Sequence, residues 1–190
     1  MSTIVDAVHQ TLSGNVTEQI SDQIGADPAQ TRTAVAAALP MLLAGMANQA
    51  RQPGGAEAID QQAQNHAGVL GGLADMLPGA GGGGGGGLSG MVAAAGGLLQ
   101  SVLGRSHEDV EAGVAKTSGL DPEQTKKLLM MLAPIVLGVI ARHRQQSGAP
   151  AGQLGPVLEQ AQQDAEQRAR EHSPQLGGKL GEILGSILAR

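Results

Sequence analysis

Gly119-Leu120-Asp121-Pro122-Glu123-Gln124-Thr125 is followed by the uninterrupted apolar run Leu128–Ala141, which carries a proline at position 134. Ninety-four residues earlier the same order occurs: Gly25-Ala26-Asp27-Pro28-Ala29-Gln30-Thr31, then Ala34–Ala47 with a proline at position 40. The register extends upstream, where Ile4, Val5 and Val8 fall on Leu98, Leu99 and Val102. A shared register over this length predicts two copies of one unit, about 1–51 and 95–145.

Each copy reads as three helices. The first is expected near 2–12 and 91–104, the second near 16–24 and 107–117, with Asn15 and Ser106 as N-caps. Gly25 and Gly119 are placed to stop the second helix, because glycine tolerates the left-handed backbone beyond a helix C-terminus. Asp27-Pro28 and Asp121-Pro122 then start the third. An aspartate accepts from the first free amides, proline fits the first helical position, and Gln30 or Gln124 stands where a capping box wants it. The third helix runs to about Gln49 or Arg144. Pro40 and Pro134 each remove an internal hydrogen bond, which predicts a kink or a split there. No segment shows sustained alternation or β-branched runs, so the expected fold class is all-α.

Around these units the chain is rich in glycine. Thirty of its 190 residues are Gly, and Gly81–Gly87 is an unbroken run that reads as a flexible linker. Val157 to Glu171 is polar and reads as an exposed helix. In the tail, Leu176, Leu180, Ile183, Leu184, Ile187 and Leu188 form one helical stripe, beside a ridge of small residues at Gly177, Gly181 and Gly185. The expected organisation is a first repeat over 1–51, a helical extension and Gly-rich linker over 52–90, a second repeat over 91–147, and an exposed helix with the Gly/Leu helix over 148–190.

The unit of helix, glycine, Asp-Pro-x-Gln and a proline-bearing apolar helix, with Gly/Leu-rich tails, resembles the YidB-like bacterial domain of unknown function (domain of unknown function 937) in two tandem copies. Gly119 to Gln124, Leu128 to Ile140 and Leu176–Leu188 carry the resemblance. It implies a multihelical fold and brings no activity or catalytic residue with it.

Composition narrows the chemistry. Phe, Tyr, Trp and Cys are all absent. A thiolate nucleophile, a Cys-ligated metal and an aromatic platform for stacking nucleic acid are thereby excluded. The net charge of −5 is carried by residues 1–96, where Arg32 and Arg51 face seven acidic groups. That distribution argues against a duplex-binding face. Lys126 and Lys127, at the start of the helix after Gly119, are the contacts a helix-turn-helix reading would use. His107-Glu108-Asp109 groups three metal-ligand types, but acids at a helix start also complement its dipole. Gly87-Leu88-Ser89-Gly90-Met91 misses the nucleophile elbow at its last position and has no strand before it. Catalytic, cofactor and metal sites are therefore expected to be absent.

Fourteen apolar residues span about 21 Å as a helix, short of the roughly 30 Å hydrocarbon core. Each run should therefore be a buried core helix. Apolar around its circumference, it must be covered by the other copy or by another chain. The expected function is self-association or scaffolding without catalysis, in the cytoplasm, since the first residues lack a basic n-region. The partner is a second copy of the chain or another helical protein. The alternative is membrane-surface attachment through the Gly/Leu tail. Asp27, Pro28, Pro40, Asp121, Pro122 and Pro134 are assigned structural roles, and Gly177, Gly181 and Gly185 tail contacts.

Overall fold

The computed structural model describes residues 4–12, 15–65, 97–148, 153–172 and 185. Among these, regular structure is entirely helical. The first half contains α1 (Ile4–Leu12), α2 (Asn15–Ile24), α3 (Pro28–Ala50) and α4 (Gly55–Asn65). The second contains α5 (Leu98–Leu103), a single 3-10 turn (Gly104–Ser106), α6 (His107–Ser118), α7 (Pro122–Ser147) and α8 (Leu154–His172).

The short helices are held by apolar residues at helical spacing. α1 buries Ile4, Val5, Val8 and Leu12; α2 buries Val16, Ile20 and Ile24. Both spacings put the large side chains on one face. Gly25 and Gly119 have φ of 69° and 74°, so they end α2 and α6 in the left-handed region as the sequence predicts. Asp27 accepts from the Ala29 amide at 2.7 Å. Asp121 forms the full capping box: its Oδ1 accepts from the Gln124 amide at 2.9 Å, while Gln124 Oε1 accepts from the Asp121 amide at 3.2 Å. Pro28 and Pro122 occupy the first helical positions.

One local expectation is corrected and another narrowed. The Ser106 side chain makes no cap bond to α6; its backbone is already helical, which turns the hydroxyl away from the first free amides. Instead Ser106 Oγ accepts from Asn48 Nδ2 at 3.5 Å. For the prolines, the split is excluded: α3 and α7 continue through Pro40 and Pro134. Each proline deprives the carbonyl four residues back, that of Ala36 or Met130, of its helical donor. Within Ala34–Ala47 and Leu128–Ala141, Ala36 and Met130 are the residues that are not buried. These two residues keep partial exposure, and an acceptor that can reach water costs less to leave without its helical donor.

α3 and α7 lie at the centre of one hydrophobic core that runs from Ile4 to Ala169. The helix that follows each of them crosses to the other half. α4 packs along α7, and α8 lies along α3 in the most extensive contact among the described helices. α6 also packs on α3, and α1 on α7. The expectation that residues 157–171 form an exposed helix is overturned. Leu154, Leu158, Ala161, Ala165 and Ala169 of α8 are buried. Their spacing gives one continuous stripe, but it is mostly alanine, whose small apolar surface hardly marks the segment as amphipathic.

α3 and α7 have 23 and 26 residues, longer than the apolar runs inside them. At 1.5 Å per residue they extend about 35 and 39 Å, so length alone does not exclude crossing a bilayer. Within the chain, 72% and 78% of their most apolar stretches are buried.

Candidate functional site

The polar groups that link helices gather along the seam between the two halves. Arg144, near the end of α7, forms an ion pair with Asp60 of α4. The Asp60 Oδ1 in this pair is buried and has no hydrogen-bond partner beyond the guanidinium it faces. Its second oxygen accepts from Gln64 Nε2 at 2.8 Å. Arg51, just past the end of α3, pairs with Glu159 of α8 at 2.7 Å in a more exposed setting. Arg168 of α8 pairs with Asp6 of α1. Gln124, besides closing the capping box of α7, donates from Nε2 to the carbonyl of Gly25 at 2.9 Å. One glutamine thus serves the start of α7 and the carbonyl left open at the end of α2.

The Arg144–Asp60 and Arg51–Glu159 pairs match in position. Asp60 and Glu159 are each the sixth residue of the helix after a core helix, and each meets an arginine at the end of the other half's core helix. Aligned on this feature, Ala58-Ile59-Asp60-Gln61 corresponds to Val157-Leu158-Glu159-Gln160, and Gln64-Asn65 to Gln163-Asp164. Ile59 and Leu158 are both fully buried. The spacing between these segments is 99 residues, against 94 upstream. A single fixed offset therefore does not align both pairs of segments.

At one end of the seam, the end of α3 faces the α5–α6 junction across a cleft of about 1000 Å³, lined by Asn48, Gln49, Gln52, Gln100, Arg105 and His107 among others. Gly104, with φ of 54°, lets the Gln49 side chain lie over it: a Cβ there would come within 2.3 Å of Gln49 Oε1. His107 Nε2 turns along its own helix and stands 4.0 Å from Glu111 Oε2. The cleft thus presents amide donors and acceptors. No group of three or more His, Cys, Asp or Glu side chains that could hold a metal ion is present among the described residues.

The remaining residues singled out by the sequence are spread over the molecule. Lys126 and Lys127 are exposed on the first turns of α7. Gly177, Gly181, the apolar tail stripe, Gly81–Gly87 and the Gly87–Met91 segment lie outside the described residues. Gly185 is helical and exposed, with no described residue within 4 Å of where a Cβ would stand.

The model of one bacterial family of unknown function, DUF937, matches residues 6–143. The chain belongs to that family. The match runs from within α1 through α3 and most of α7, and stops one residue short of Arg144. No curated protein and no solved structure matches the chain.

Proposed function

We propose that this protein is a non-enzymatic association module, built from two copies of one helical unit and self-associating through its Gly/Leu tail. The matched helix starts, the two proline-bearing core helices and the Asp60/Glu159 correspondence support the repeat, and extend it to a fourth helix in each copy. A single family match across both copies is compatible with a repeat inside the family's own unit. The core helices are covered largely within the chain, so association is not required to bury them. The apolar stripe that the sequence places in the tail, Leu176 to Leu188, is the surface we assign to a partner.

The observation that carries the reading is the setting of Gly185. It is the one described member of the small-residue ridge, and among the described residues nothing lies within 4 Å of the position of its missing Cβ. A ridge of this kind lets a second helix come close, with association driven by packing of the adjacent leucines and isoleucines. Native mass measurement of the full chain, and of a chain lacking residues 175–190, tests the proposal. The full chain is expected to form an oligomer that the deletion abolishes. A monomer at all accessible concentrations in both forms would overturn it.

A further inference from the structure

We infer that two copies of this chain assemble by exchanging halves, residues 4–65 of one closing on residues 98–172 of the other. The surface involved is the seam and the partner is a second copy of the chain. This assembly does not use the tail.

Three features point to it. First, each half is completed by the other: α8 lies along α3, and α4 packs more extensively on α7 than on α3. Secondly, the ion pairs Arg144–Asp60, Arg51–Glu159 and Arg168–Asp6 all cross the seam, as does the Gln124 bond to Gly25. Thirdly, the crossing is reciprocal, since an acid at the sixth position of the final helix meets an arginine at the end of the opposite core helix in both directions. Self-complementary contacts of this form are those of a two-fold homodimer interface. Here they occur between two segments of one chain.

An interface of this kind is indifferent to connectivity. The same buried residues and the same ion pairs form whether the halves belong to one chain or two, so exchange needs no new surface. What favours the closed monomer is that residues 66–97 join its halves in one chain; the effective concentration is on the order of mM for short connections and falls as the connection lengthens. Chains refolded together at concentrations near that value are expected to partition into exchanged dimers.

Gly45 and Leu103 provide the reporter. They belong to opposite halves, and a Cβ at Gly45 would lie 2.6 Å from Leu103 Cδ2 and 3.7 Å from its Cγ. Leu103 is buried, so its neighbour in the core is read without interference from random surface encounters. The chain contains no cysteine of its own. One full-length chain carries Gly45→Cys and another Leu103→Cys; they are unfolded, mixed, refolded together at high concentration and oxidised. The double variant Gly45→Cys/Leu103→Cys in one chain shows that the pair can bridge within the monomer. The expected result is a disulfide-linked species of twice the 19.1 kDa chain mass from the mixture, absent when either chain is refolded alone. An internal bridge in the double variant with no linked dimer from the mixture overturns the inference.

Should the double variant fail to bridge, the charge pair replaces it. Chains carrying Asp60→Lys or Arg144→Glu are each weakened alone. Refolded together, they are expected to recover cooperative melting in a dimer-sized fraction, where one exchanged body holds the reversed pair and the other the native one. No recovery overturns the inference. Both measurements are repeated without residues 175–190. Exchange that persists there while light scattering shows no tail-dependent oligomer would leave this inference standing and remove the tail reading.

Discussion

Two ion pairs at matched positions should differ sharply in what they contribute, and their burial sets the size of the difference. In the Arg144–Asp60 pair the side chains are 25% and 13% exposed, whereas in Arg51–Glu159 they are 51% and 37% exposed. Replacing Arg144 by Ala leaves a carboxylate whose Oδ1 is buried and without another donor. Removing one partner of a buried pair costs about 3–5 kcal/mol; the residual exposure of Arg144 reduces this to about 2–3 kcal/mol. For the exposed pair, Arg51→Ala is expected to cost at most about 1 kcal/mol, since solvent screens both charges. For a domain of this size 1 kcal/mol moves Tm by about 2–4 °C, so Arg144→Ala should melt roughly 4–12 °C lower and Arg51→Ala no more than about 4 °C lower. Because the chain has no aromatic residues, unfolding is followed by far-ultraviolet circular dichroism or calorimetry. Asp60→Ala/Arg144→Ala should recover much of the loss, since no uncompensated charge remains. If Arg144→Ala and Arg51→Ala lowered Tm equally, or the double variant were the sum of its singles, the reasoning from burial would be wrong.

Other variants test other links. Leu158→Ala should cost about 2–4 kcal/mol in thermal melts because Leu158 is fully buried, whereas a loss within about 0.5 kcal/mol would return α8 to an exposed helix. Asp121→Ala should lower stability by about 1–2 kcal/mol through the capping box, and Asp27→Ala by somewhat less, since Asp27 holds a single cap bond. Gly119→Ala should cost about 1 kcal/mol from left-handed strain alone, because nothing lies within 4 Å of its Cβ position; calorimetry showing no loss would contradict the cap geometry.

The parts legible in the sequence were those with strong local chemistry. Asp-Pro starts, glycine stops and unbroken apolar runs each act within a few residues, and they located α2, α3, α6 and α7 closely. Where the reading failed, the deciding partner was distant. The buried stripe of α8 is mainly Ala161, Ala165 and Ala169, and only the proximity of α3 makes those alanines core residues. The continuity of α3 and α7 depends on which way the turn at Ala36 or Met130 faces, a property of packing. Ser106 looked like a cap because of its type and position; the preceding 3-10 turn set its backbone otherwise. The seam was invisible for a related reason. The acidic residues that mark it, Asp60 and Glu159, sit in helices whose separation differs by five residues from that of the segments before them.

The placement of α8 on α3 has a consequence for synthesis. The core helix α3 ends at Ala50, and the helix that covers it most extensively begins at Leu154. At about 5–20 residues per second, roughly 5–20 s separate the translation of the two on a bacterial ribosome. During that interval the nascent chain carries an apolar helix whose main cover has not yet been made. Until α8 is made, α3 must take its cover from the helices translated before it, of which α6 packs on it most extensively among the described residues.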